Sequence, residues 1–109
     1  MAAGSSADLA LQDVLDRLVS FYRPEAVYLF GSRARCDGHA DSDYDLLVVV
    51  PDETPAERLS LIAAYRTVRP AHVAADVFPC RRSVFDRRKG EVGTLPFAAW
   101  TEGRRIYGQ

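Results

Sequence analysis

The chain has 109 residues, 48% of them hydrophobic and 27% charged, with 14 basic against 15 acidic side chains. This is the composition of a globular domain with a real core. Near-zero net charge argues against general nucleic-acid binding, and no apolar run approaches the roughly 20 residues that a membrane helix needs.

Residues 1 to 7 carry neither a basic start nor an apolar signal segment, so the expectation is a cytoplasmic protein. Ser5-Ser6-Ala7-Asp8 reads as a capping box opening a first helix. Leu11, Val14, Leu15, Leu18, Val19 and Tyr22 recur along it at helical spacing, and Pro24 ends it. Ala26 to Phe30 is a short run apolar on both faces, a strand expected inside a covered sheet. Between Cys36 and Ser42 lies a polar loop containing His39, which reads as a surface histidine rather than a base or ligand.

A second strand is expected over Tyr44 to Val50, with Asp43, Asp45, Leu47 and Val49 on one face and Tyr44, Leu46, Val48 and Val50 on the other. Thr54-Pro55-Ala56-Glu57 reads as a capping box for one continuous helix running to about Val68, with Leu61, Ile62, Tyr65 and Val68 inward and Pro70 closing it. A third strand is expected from Val73 to Phe78, carrying Asp76. A carboxylate within an apolar strand is costly unless it is paired with an arginine or bound to a metal. Ser83 is expected to cap a short helix ending before Gly90. A last helix is expected over Thr94 to Thr101, with Phe97 and Trp100 packed on the sheet as core. Residues 81–109 hold six arginines and one lysine against three acids. That basic tail (Arg81, Arg82, Arg87, Arg88, Lys89, Arg104 and Arg105) reads as a solvated or partner-facing surface rather than an RNA-binding one. Cys36 and Cys80 have no metal-ligand spacing and are expected to be free thiols.

Chemistry concentrates between the first two strands. Gly31 permits a sharp turn after Phe30, and Ser32 can cap a helical turn through Arg33, Ala34 and Arg35. Amides at such a start point outward unpaired and can hold a phosphate. Asp43 and Asp45 follow on one side of a strand, about 7 Å apart. Two carboxylates beside a phosphate cradle suggest a magnesium-nucleotide site. Gly-Ser, ten residues, then Asp-x-Asp resembles the signature of polymerase-beta-like nucleotidyltransferases. The fuller Gly31-Ser32-Arg33-Ala34-Arg35 with Asp41-Ser42-Asp43-Tyr44-Asp45-Leu46 resembles the minimal nucleotidyltransferase (MNT) antitoxins, and the ending Glu102-Gly103-Arg104-Arg105-Ile106-Tyr107 resembles that family's C-terminal segment. Cys36 departs from the glycine common there and puts the loop's geometry in doubt.

The resemblance implies one α/β nucleotidyltransferase domain over 1–109, a small mixed sheet with helices packed mainly on one side. It implies a third acid from a neighbouring strand, the place of Asp76. Three oxygen ligands, Asp43, Asp45 and Asp76, suit two magnesium ions, or manganese, about 4 Å apart. Gly31, Ser32, Arg33 and Arg35 would bind the nucleotide, with ATP as substrate. The implied partner is a HEPN-type ribonuclease toxin, held in a hetero-oligomer and modified with AMP on a tyrosine hydroxyl. Two alternatives stay open: an antitoxin that neutralises by contact alone, and a small-molecule nucleotidyltransferase of the aminoglycoside type.

Overall fold

The computed structural model describes residues 6–31, 44–71 and 75–108. The first helix, α1 (Ser6–Tyr22), turns its stripe inward, burying Val14, Leu15, Leu18 and Tyr22, with Leu11 and Val19 packed beside them. It stops where Arg23 enters the left-handed region at φ 48° and donates its amide to the Val19 carbonyl, just ahead of Pro24. The expected capping box falls on residues whose side chains lie outside the description.

Strands β1 (Ala26–Phe30) and β2 (Tyr44–Val50) pair antiparallel at the centre of a four-stranded mixed sheet. Strand β3 (Ala75–Arg81) runs parallel to β2 on one edge, and β4 (Arg104–Gly108) runs antiparallel to β1 on the other. Helices α2 (Leu61–Val68), α3 (Arg82–Arg88) and α4 (Leu95–Glu102) complete the order.

Alternation in the strands feeds two cores, because successive strand residues face opposite sides. Val27, Leu29, Tyr44, Leu46, Val48 and Val50 meet α1 and α2 in the larger one. Ala26, Tyr28, Phe30, Leu47 and Val49 meet Phe85 of α3 and Ala99 of α4 in the smaller one. The fold class is thus the small mixed sheet expected, with its larger helical layer on one face. Among the described residues, no helix is long and apolar enough to cross a membrane.

Several expectations need correction. The helix after Pro51 is not continuous: residues 56–59 form a 3-10 turn, and Ser60, extended at ψ 150°, restarts the chain as α2 by accepting the Ala63 amide. The restart moves the inward row to Ala64 and Val68, leaving Leu61, Ile62 and Tyr65 64%, 65% and 61% exposed. Strand β3 runs on through Pro79 to Arg81, which an edge strand tolerates because its outer side needs no amide.

Ser83 does not cap α3. It sits inside the helix, and its amide is held by the Asp52 carboxylate from the loop after β2. Trp100 is 49% exposed rather than core; Ala99 and Pro96 are the residues α4 buries. Thr94 does cap α4, its hydroxyl accepting the Phe97 amide. The last strand, β4, has no counterpart in the expected elements. Gly103 lets it begin, since a Cβ there would press on the Ala99 and Leu29 carbonyls.

Candidate active site

Three strand ends meet at one end of the sheet: the finish of β1 and the starts of β2 and β3. Asp45 is the second residue of β2, Asp76 the second of β3, and the two are direct register partners. Neighbouring strands lie about 4.8 Å apart, so two carboxylates from segments 31 residues apart in sequence stand side by side. They share a face, because Leu47 and Phe78, the next residues on that side, both join the smaller core. On its other side Asp45 is paired with Phe30. The rings of Phe30 and Phe78 approach to 6.2 Å, which gives the acids an apolar floor.

Gly31 follows Phe30 directly and closes this corner. Its φ of 86° is in the left-handed region, and a Cβ there would run into the Asp45 carboxylate. Only glycine lets the backbone pass this close to the acid. The chain therefore leaves β1 past Asp45, and re-enters the sheet one residue before it. Ser32, Arg33, Arg35 and Asp43, with Cys36 and His39, lie outside the described residues.

Asp76 is exposed, not buried. The desolvation cost that made it conspicuous in the sequence is therefore absent, and neither a buried ion pair nor a metal is needed to explain its presence in the strand. What singles it out is its place opposite Asp45. Among the described residues no group of three His, Cys, Asp or Glu side chains is placed to hold a metal ion. Two carboxylates paired across parallel strands are nonetheless a donor set of the kind hard cations take.

Beside Asp76 the surface dips into a hollow of about 230 Å3, walled by Leu61, Tyr65, Ala75, Val77 and Phe78. Sequence reasoning placed Leu61 and Tyr65 in the core and so missed this wall. The capping serine at position 60 was the signal that could have found it.

In the basic tail Arg87, Arg88, Arg104 and Arg105 are exposed, while Arg81, Arg82 and Lys89 are half-buried and make structural contacts. Arg81 donates to the carbonyls of Asp52 and Thr54, and Arg82 reaches Glu25 and Asp86. Lys89 lies 4.3 Å over the Trp100 ring and 3.7 Å from Asp86. Cys80 is a free thiol, its pKa raised by burial although Arg88 and Arg87 pull the other way.

A family model described as polymerase beta, nucleotidyltransferase matches residues 12–78, the span from α1 to just past Asp76. No curated protein gives a significant match. Among solved structures, a Sulfolobus solfataricus protein named as a candidate nucleotidyltransferase superposes with TM-score 0.58 at 20% identity, covering 100% of this chain and 93% of the other. A chain from a toxin-antitoxin structure with AMP-PNP superposes with TM-score 0.57 at 17% identity, covering 86% of this chain and 73% of that one. At such identities the two structures speak for the fold.

Proposed function

From its membership of the polymerase beta nucleotidyltransferase family, we propose that this chain is a single-domain, magnesium-dependent antitoxin that transfers AMP from ATP to a tyrosine hydroxyl of a HEPN-type toxin in the cytoplasm. The observation that carries the chemistry is the register pairing of Asp45 with Asp76 beside Gly31. Support for the biological role comes from the MNT-like reading of residues 31–46 and from the fold shared with a toxin-antitoxin chain.

In this reading Asp43, Asp45 and Asp76 hold divalent cations, which supply charge neutralisation of the triphosphate and a lowered acceptor pKa when bound. Gly31 keeps the corner open for phosphate oxygens, and Ser32 with the following amides grips them. Arg33 and Arg35 neutralise charge as pyrophosphate departs. Asp76, exposed on the edge strand, faces the side from which an acceptor can arrive. The acceptor oxygen bonds to the α-phosphorus, the bond to the bridging oxygen breaks, and pyrophosphate leaves.

The test is co-expression with the protein encoded by the neighbouring reading frame, which is then weighed intact. An added AMP mass that vanishes with Asp45→Asn supports the assignment. No added mass with either version, together with equal protection of the cells, would sink it in favour of neutralisation by contact.

A further inference from the structure

Beyond the acids, the same sheet face leads into a second cleft. Alternate strand residues share a side, so Leu47 follows Asp45 on β2, while Phe78 and then Cys80 follow Asp76 on β3. Leu47, Phe78 and Cys80 line a cleft of about 310 Å3, joined by Val84 of α3 and by Leu95 and Pro96 at the start of α4. That volume is at the small end of the roughly 300–1,000 Å3 of pockets that hold small molecules. Leu95 is 43% exposed, so part of the apolar lining is open to solvent.

Charge in the cleft is of one sign. Arg88, in the last turn of α3, lines it, and its guanidinium has no ion-pair partner among the described residues. Arg87 is unpaired in the same way, and both guanidinium groups act on the Cys80 thiol. Asp86, the acid next to them in sequence, is taken by Arg82 and Lys89. Among the described residues no carboxylate lines the cleft. Burial raises the Cys80 pKa, so near pH 7 the thiol is neutral and opposes no anion.

We infer that this cleft binds a small organic carboxylate, its apolar body against Leu47 and Phe78 and its anionic head at Arg88. The inference goes beyond nucleotidyl transfer and does not depend on it, since such a ligand needs neither metal nor phosphate. Lining chemistry selects the occupant. A ring or acyl body takes apolar surface out of water, whereas a cation would meet two guanidinium groups. The other polar side chains are already committed. Thr94 donates to the Arg88 and Glu91 carbonyls and accepts the Phe97 amide, and the Cys80 thiol donates to the Arg81 carbonyl. Arg88 is then the group left to orient a ligand. An exposed arginine alone would be ordinary; an unpaired one lining an apolar cleft that holds no acid is not.

The test titrates the full chain by calorimetry with naphthylacetate, its uncharged twin naphthylacetamide and the cation naphthylethylammonium. Cys80 gives a second readout, because iodoacetamide alkylation with peptide mass mapping separates it from Cys36. Naphthylacetate should bind about fivefold more tightly than the amide, with the cation weakest, and should slow alkylation of Cys80. The order should be the same in EDTA and in magnesium. Arg88→Gln should erase the preference for acid over amide and leave the amide's affinity in place. Val84→Trp, which fills the cleft, should abolish binding of both. Dichroism checks that each variant folds, and Arg88 is exposed, so its arm stands even if Val84→Trp does not fold. Equal binding of acid and amide by the parent, binding of neither, or a preference that survives Arg88→Gln overturns the inference. Binding that leaves Cys80 alkylation unchanged, or that requires magnesium and so belongs to the acid pair, overturns it as well.

Discussion

Gly31, Asp76 and Tyr22 each make a claim that one substitution can test. At Gly31 the left-handed backbone and the nearby Asp45 carboxylate both exclude a side chain. Gly31→Ala should cost about 1–3 kcal/mol in urea unfolding and weaken magnesium-ATP binding as well; an unchanged midpoint would contradict the geometry. Asp76→Asn keeps size but removes charge. Transfer should drop at least about a hundredfold, whereas nucleotide binding, supported by Asp45 and Asp43, should weaken only modestly. Tyr22 tests the core. Its hydroxyl is buried, lacks a hydrogen-bond partner among the described residues, and burial pushes its pKa up to about 12. A tyrosine ordinarily ionises near pH 10, so above that the unfolded chain gives up a proton that the folded chain keeps. Stability is therefore intact below about pH 10 and declines toward pH 12. Tyr22→Phe should be neutral or slightly stabilising at pH 7, and its advantage over the parent should widen between pH 10 and pH 12 in thermal melts.

Among the elements, α2 carries the clearest lesson. Removing its cap with Ser60→Ala should cost about 1 kcal/mol, measured by urea unfolding, although Ser60 itself is exposed. A continuous helix from Pro55 would have placed Leu61, Tyr65 and Val68 on one inward stripe, which is how the periodicity reads. The extended Ser60 resets the phase, and Ala64, a small residue, takes the inward place instead. Strands β1 and β2 were legible to the residue, because apolar runs interrupted only by Asp45 and bounded by Pro24, Gly31 and Pro51 leave little alternative. Strand β4 was not, since Arg104-Arg105-Ile106-Tyr107 has a single half-buried residue and gains its place from pairing with β1. The cap of α3 was equally hidden: its acceptor, the Asp52 carboxylate, lies 31 positions upstream of Ser83. The candidate site divides the same way. Spacing singled out Asp45 and alternation put Asp76 on a strand, but their adjacency depends on the parallel register of β2 and β3, which no local pattern encodes.

For the whole molecule, one layered sheet with helices on both faces predicts one cooperative transition. Trp100 is the sole tryptophan, packed on Tyr28 and Phe85 of the smaller core, so its fluorescence should lose native character at the same urea concentration as the dichroism dominated by α1. Separate midpoints would mean that the two faces unfold independently. The pairing of Asp45 with Asp76 also bears on how the chain folds. Antiparallel β1 and β2 can meet early, but only one of the paired acids is on them. The second arrives when the crossover through α2 closes and β3 docks in parallel, a non-local event of the kind that slows folding. Catalytic competence and completion of the sheet are then a single event, and ATP should act as a ligand of the finished fold alone. At a hundredfold excess over Kd such a ligand stabilises by about 2.7 kcal/mol. If the proposed nucleotide site is filled by magnesium-ATP, proteolysis of the chain should slow sharply when magnesium-ATP is added, so that the nucleotide would set the protein's lifetime as well as feed its chemistry.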